Sequence, residues 1–280
     1  MAGIRFHHRR RLRVPGLELK DLDNHTRRAE IDAMAAESNV LRFSLIVPAF
    51  NEARYLPRLL DSVEAARAMY ARGRAAVEVI VADNASTDRT GEVASAHGCR
   101  VVRVPKRSIA AARNAGARSA VGSVLAFVDA DSRIHPETFD AIDEALATGR
   151  CVGGASGVTM ERWSMGIRMT YLLFLPMVYL TGMDTGVVFC RREDFERVGG
   201  YDEQRRFAED VEFLTCLKRL GRSRRQRLAR LTAVKAVAST RKFDEHGDWH
   251  YFSMLARLGL CFGRGRFQDR VESYWYRPSR

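Results

Sequence analysis

The sequence predicts one α/β domain in which a Rossmann-like, mostly parallel sheet is flanked by helices. Three observations carry that expectation. Short β-branched runs alternate with stretches of helical periodicity, the pattern of strands joined by crossover helices. Three of those runs end in a polar or acidic cluster, and open α/β sheets bind ligands beyond the carboxyl ends of their strands. At 280 residues, 46% hydrophobic and 29% charged, the chain can bury a full core and fits one large domain better than two.

Residues 1 to about 40 are charged and carry no strand signal; they read as a tail with one short helix around Arg27 to Ala36. The basic run Arg9-Arg10-Arg11-Leu12-Arg13 is like the start of an export signal, but no apolar stretch follows it, so no signal peptide is read. The first strand is Phe43 to Val47, leading into Pro48-Ala49-Phe50-Asn51-Glu52. A helix from about Glu52 to Ala71 follows, with Leu56, Leu59, Leu60 and Val63 at helical spacing. The second strand, Val77 to Ala82, ends in Asp83-Asn84-Ala85-Ser86-Thr87-Asp88 before a helix from Thr87 to His97, for which Ser86 is an N-cap candidate. The third strand is Arg100 to Val104, and the helix after it, Ile109 to Ala120, carries Arg113 and Asn114 in an alanine-rich surface. The fourth strand, Val124 to Val128, runs into Asp129-Ala130-Asp131. Each crossover should be right-handed.

An acidic edge cannot attract a diphosphate by charge, so these clusters make sense chiefly if a divalent cation bridges carboxylate and phosphate oxygens. Asp129 and Asp131 would share one side of a continuing strand and repel unless a cation or proton lay between them. The plainer alternative is a turn and helix cap before Pro136. Asp83 either accepts hydrogen bonds from a base or ribose, or caps the next helix. Arg113 either reaches a phosphate or sits on a helix surface. Asp210 precedes Phe213 and Leu214 by three and four residues, with Leu217 and Leu220 continuing the stripe, which opens its carboxylate onto the buried face. Alternatively, Glu209 and Asp210 are simply first-turn acids.

The net charge of +12 gathers at the N-terminal arginines and at Arg222-Ser223-Arg224-Arg225-Gln226-Arg227. An anionic neighbour (phosphate-bearing substrate, nucleic acid or acidic membrane face) and a merely solvated basic surface both fit that pattern. Aromatic residues are not interleaved with the arginines, so no nucleic acid is expected. Five widely spaced cysteines without a CxxC pair indicate neither a disulfide framework nor a zinc site, and fit a reducing cytoplasm. The uncharged run Met169 to Met183, interrupted by Pro176 and Gly182, is too short to span a bilayer comfortably; it reads as a buried helix or as one lying in a membrane interface.

Taken in order, Pro48-Ala49-Phe50-Asn51-Glu52, Asp83 to Asp88, Ala111-Ala112-Arg113-Asn114-Ala115-Gly116, Phe127-Val128-Asp129-Ala130-Asp131, Gly199-Gly200-Tyr201-Asp202-Glu203 and Ala208-Glu209-Asp210 resemble glycosyltransferase family 2, with its GT-A fold, over about Phe43 to Lys218. Each motif alone is weak, but their order is specific. The resemblance implies that Pro48, Phe50, Glu52 and Asp83 hold the base and ribose of a nucleotide sugar. It implies that Asp129 contacts ribose or metal-bound water, that Asp131 binds Mn2+ or Mg2+, and that Asp210 is the general base. The segment Ser239 to Trp249 resembles a loop that closes over the donor, from which Arg241 or His246 could reach metal or diphosphate; His246 and His250 also stand at i,i+4 spacing.

On this reading residues 1–40 and 263–280 are tails, 41–158 the nucleotide-sugar-binding half and 159–262 the acceptor and catalytic-base half. The implied reaction is a single inverting transfer from a UDP- or GDP-sugar to a hydroxyl or phosphate of a glycan, lipid-linked or small-molecule acceptor. The implied location is cytoplasmic, peripheral at the inner membrane face if the acceptor is a lipid. No Gln-x-x-Arg-Trp motif of processive synthases is present, so one sugar is transferred. A sugar-nucleotide pyrophosphorylase would show a glycine-rich phosphate loop where Pro48 to Glu52 stands, and an oxidoreductase would show GxGxxG. A non-catalytic nucleotide binder gives no reason for Asp131 and Asp210 together.

Overall fold

A computed structural model of the chain describes residues 41–181, 183–205 and 208–252. The expected helix near Arg27, the Arg9 to Arg13 run and the 263–280 tail lie outside them. In chain order the strands are β1 (Phe43–Ala49), β2 (Val77–Asp83), β3 (Arg100–Arg103), β4 (Val124–Phe127), β5 (Cys151–Met160), β6 (Val188–Arg191) and β7 (Arg227–Ala238). Side by side they form one sheet in the order β3-β2-β1-β4-β6-β5-β7. The pairs β1–β2, β2–β3, β1–β4 and β5–β7 are parallel, whereas β6 runs antiparallel to both β4 and β5. The helices are α1 (Leu56–Met69), α2 (Thr90–Ala96), α3 (Ile109–Ser119), α4 (Thr138–Ala147), α5 (Met165–Thr181), α6 (Arg192–Val198), α7 (Glu209–Ser223) and α8 (Arg241–His246).

β1 and β4 are buried along their whole length, as expected of parallel strands covered on both faces. Alternate residues of β1 serve opposite layers: Leu45 and Val47 join Phe43, Tyr70 and Phe139, while Ile46 joins Phe127, Phe195, Tyr201 and Phe213. In the second layer the Tyr201 and Phe213 rings stack 4.4 Å apart. α3 approaches β1 so closely that a Cβ on Gly116 would meet Ile46 Cγ2 at 2.4 Å, a distance that only glycine permits.

The first helices start later than their periodicity suggests, for a shared reason. The polar residues that could have capped them join two loops instead. Asn51 N donates to Ser86 Oγ (3.0 Å), Thr87 N donates to Asn51 Oδ1 (2.8 Å), and Glu52 N donates to Thr90 Oγ1 (2.8 Å). Ser86 is therefore not an N-cap, contrary to expectation; α2 opens at Thr90, whose N–H is met by Asp88 Oδ1 at 3.0 Å. The run from Met169 forms most of α5, which buries Ile167 and Thr170 while Leu172 and Leu173 are exposed, so the helix is half covered and not buried throughout. Among the described residues no helix is long and apolar enough to cross a membrane.

Candidate functional site

From β1 the chain steps outward to β2 and β3, then returns to place β4 on the other side of β1. Strand order reverses between β1 and β4, and that is where a doubly wound sheet opens a crevice. β4 pairs with β1 only as far as Phe127 opposite Ile46, so Pro48, which has no N–H to give, sits past the last rung. Among the described residues four non-glycines have positive φ, and three of them stand beside this crevice or on the segment leading to α7: Asn51 (55°), Ala85 (59°) and Ala208 (55°). Such conformations persist only where surrounding contacts impose them.

Arg113 is not on a helix surface. It is 3% exposed, and its guanidinium draws three carboxylates together from two distant segments. Nη2 lies 2.9 Å from Asp129 Oδ1, while Nη1 lies 2.8 Å from Glu209 Oε1 and 2.7 Å from Asp210 Oδ1. The Tyr201 ring stands 5.1 Å from the guanidinium carbon. At the next residue, Asn114 Oδ1 accepts from Tyr201 N (2.9 Å) and Asn114 Nδ2 donates to Tyr201 O (2.8 Å), which fixes the Gly199 to Glu203 segment against α3. Gly200, at φ +73°, permits that approach: a Cβ there would lie 2.7 Å from Asn114 Oδ1.

Asp210 stands in the first turn of α7, and its buried Oδ1 lies 2.7 Å from Arg113 Nη1. Burial pushes its carboxyl up to about 7, against the pull of Arg113 and with the push of Glu209 and Asp129. A carboxyl pushed near neutrality is suited to accept a proton.

A second arginine sits at the crevice rim. Arg241, at the start of α8, grips Glu52 through Nη1 to Oε2 (2.9 Å) and Nη2 to Oε1 (2.6 Å), and its Nε lies 3.1 Å from Asp131 Oδ2. Burial pushes Glu52 up to about 7, with Arg241 opposing and Asp131 and Asp129 adding to the rise. Asp131 is raised in the same way, by burial first. Lys242 is lowered to about 8 by burial, with Asp131 working the other way.

Of the other residues singled out in sequence, Pro48 is paired in register with Ala82, Phe50 has the Arg107 guanidinium 4.0 Å above its ring, and Asp83 Oδ1 accepts from Ser86 N (3.0 Å) in a local turn. His246 ends α8 with Nδ1 3.2 Å from Lys242 O and its ring 5.7 Å from that of His250. The geometry thus gathers Glu52, Asp129, Asp131 and Asp210 around two arginines, Arg113 and Arg241. Sequence reasoning missed Tyr201 and Lys242 as members and Glu209 as a partner of Arg113. The Gly-Gly-Tyr-Asp-Glu motif was the available signal for Tyr201.

Among the described residues no three His, Cys, Asp or Glu side chains converge as a ready-made metal cage. The Asp129–Asp131 pair still fits Mn2+ or Mg2+, because such ions are commonly held by one or two carboxylates plus substrate phosphate oxygens. The mutual repulsion that helps raise Asp131 is what a cation would relieve.

Residues 44–222 match the family model described as glycosyl transferase family 2. The chain is 35% identical over 135 residues to the dolichyl-phosphate beta-glucosyltransferase of Drosophila melanogaster, covering 45% of this chain and 41% of that protein. It is 34% identical over 124 residues to the undecaprenyl-phosphate 4-deoxy-4-formamido-L-arabinose transferase of Pseudomonas paraeruginosa, covering 40% and 34% respectively. The chain spans less than half the length of the curated relatives it matches. In fold it is similar to a mannosyltransferase from Pyrobaculum calidifontis solved with GDP-Man and Mn2+, with a TM-score of 0.56, 24% identity and coverage of 70% and 56%.

Proposed function

Because the chain belongs to glycosyltransferase family 2, we propose that it moves one sugar, with inversion, from a UDP- or GDP-sugar to a hydroxyl or phosphate oxygen of a lipid-linked acceptor. The observation that carries this reading is the Arg113 cluster, which sets a buried carboxyl pushed up to about 7 against the end of β4. Asp210 takes the proton of the acceptor, a hydroxyl or a monoanionic phosphate, as the acceptor oxygen bonds to the anomeric carbon and the nucleoside diphosphate departs. Arg113 holds that carboxylate in place and keeps Asp129 beside it. Pro48, Phe50, Glu52 and Asp83 line the base and ribose side of the crevice.

A divalent cation, Mn2+ or Mg2+, held by Asp131 with diphosphate oxygens would supply counter-charge to the departing nucleoside diphosphate. Arg241 and Lys242 add positive charge on the same side. The similarity to a dolichyl-phosphate glucosyltransferase and to an undecaprenyl-phosphate 4-deoxy-4-formamido-L-arabinose transferase supports the lipid-linked acceptor. Such an acceptor places the enzyme at the cytoplasmic face of a membrane.

The test is Asp210→Asn. Transfer should fall by about 10²–10⁴-fold, the usual contribution of a positioned base, while stabilisation by UDP or GDP with Mn2+ in a thermal-shift assay persists. Near-normal transfer by the folded variant would remove Asp210 from that role.

A further inference from the structure

α5 buries one side and leaves the other bare. Met165, Met169, Leu172, Leu173 and Pro176 fall at i, i+4, i+7, i+8 and i+11, and all five are exposed, Met165 by 67% and Leu172 by 55%. A contiguous apolar stripe of this kind marks an interaction surface. Two further exposed side chains, Trp163 and Trp249, stand next to the beginning of the stripe in sequence or in the segment packed on it. That packing is close: a Cβ on Gly166 would meet Asp248 O at 2.5 Å.

The charge around the stripe selects the partner. Between Met165 and Met183 the only charged residue is Arg168, which is exposed. Four acidic residues that flank the helix carry arginine partners: Glu161 with Arg133 and Arg58, Asp184 with Arg230, and Asp244 and Asp248 with the shared Arg162. Arginine pairing thus offsets much of the negative charge beside the apolar stripe, and the whole chain carries +12. Apolar side chains and a cation on one helix, with exposed indoles in the adjoining segments, match the headgroup layer of an anionic bilayer.

We infer that the exposed face of α5 docks the protein on an anionic membrane surface. This inference rests on the lipid-linked acceptor proposed above and names the surface that would present it. The helix is fastened at both ends to the catalytic machinery. Lys218 Nζ, on α7, donates to Thr181 O at 2.7 Å, and Arg162 Nη2, just before α5, lies 2.5 Å from Asp244 Oδ1 on α8. Docking by α5 thus holds the base helix and the Arg241 helix at a set height above the lipid, where a phosphate at the headgroup level meets the crevice.

The experiment is co-sedimentation of the full chain with vesicles of phosphatidylcholine alone or of an equimolar mixture with phosphatidylglycerol. Wild-type protein should bind the anionic vesicles, and the Leu172→Glu/Leu173→Glu double variant should lose about tenfold or more of that binding. Leu172→Met/Leu173→Met should retain it, and Arg168→Glu should weaken binding to the anionic vesicles only. Undiminished binding by the double-glutamate variant overturns the inference, as does a wild-type protein that ignores vesicles. A dimer in sedimentation velocity that the same variant dissolves, without vesicle binding, overturns it in favour of a second copy of the chain. Thermal stabilisation by UDP or GDP with Mn2+, read without vesicles, separates the two readings: its loss counts against the transferase and its persistence in the double variant shows that only docking was touched.

Discussion

Arg113 and Arg241 perform the same ionic task at different depths. Each crosses from one part of the chain to carboxylates at the strand ends. Arg113 is enclosed within α3 and divided among Asp129, Glu209 and Asp210. Arg241 stands on the six-residue α8, its side chain 21% exposed, and holds Glu52 and Asp131. A cation with no path to solvent is framework, because removing it strands buried charge. One at the rim, paired with the carboxylates that a nucleotide and its metal would use, is exchangeable. Similar ion pairs thus make one side of the crevice rigid and the other responsive.

The largest break in this comparison should come from Arg113→Ala. Losing the counter-ion of buried carboxylates and opening a cavity should cost about 3–5 kcal/mol in urea unfolding. A loss below about 1 kcal/mol would show that Arg113 is not framework. Arg241→Ala should cost roughly 1–2 kcal/mol, since Glu52, already pushed up to about 7, can take a proton when its partner is gone. Its main effect should be a rise in donor KM of about tenfold with a smaller change in kcat. An unchanged KM would make the rim arginine a structural pair like any other.

The mildest probe is pH. Asp210 accepts a proton only when ionised, and burial raises its carboxyl to about 7. Activity should therefore be low in acid, climb as pH rises toward 7 and level off above it; Glu52 ionises over the same range. A rising limb in kcat/KM centred near 4 would show that the active base feels no such burial.

The crevice was legible because its residues follow directly on strands with a strong apolar signal, as Asp129 follows Val124 to Val128 and Asp83 follows Val77 to Ala82. The other half of the sheet was not. β5 reads Cys-Val-Gly-Gly-Ala-Ser-Gly-Val-Thr-Met, too rich in glycine to look like a strand. Two of those glycines are there because neighbours leave no room: a Cβ on Gly153 would lie 2.5 Å from Phe189 O, and one on Gly154 2.1 Å from Ala229 O. Close packing thus erased the pattern that would have announced it. Ser86 shows a related limit, since nothing local reveals that its hydroxyl is engaged by Asn51 N 35 residues earlier. Arg113 gave two readings in sequence because its burial depends on α7, almost a hundred residues later.

The reversed strand β6 governs when the molecule can be finished during synthesis. β4 is apolar throughout, and the edge it does not share with β1 is covered by β6 alone. That edge stays open while roughly sixty more residues emerge, about 3–12 s at ~5–20 residues per second. Its unpaired N–H and C=O groups are a template for another nascent chain. A fragment ending near residue 158 would keep the whole run of nucleotide-side motifs and still lack the strand that seals it, so the half of the protein easiest to recognise is the half least suited to being made alone.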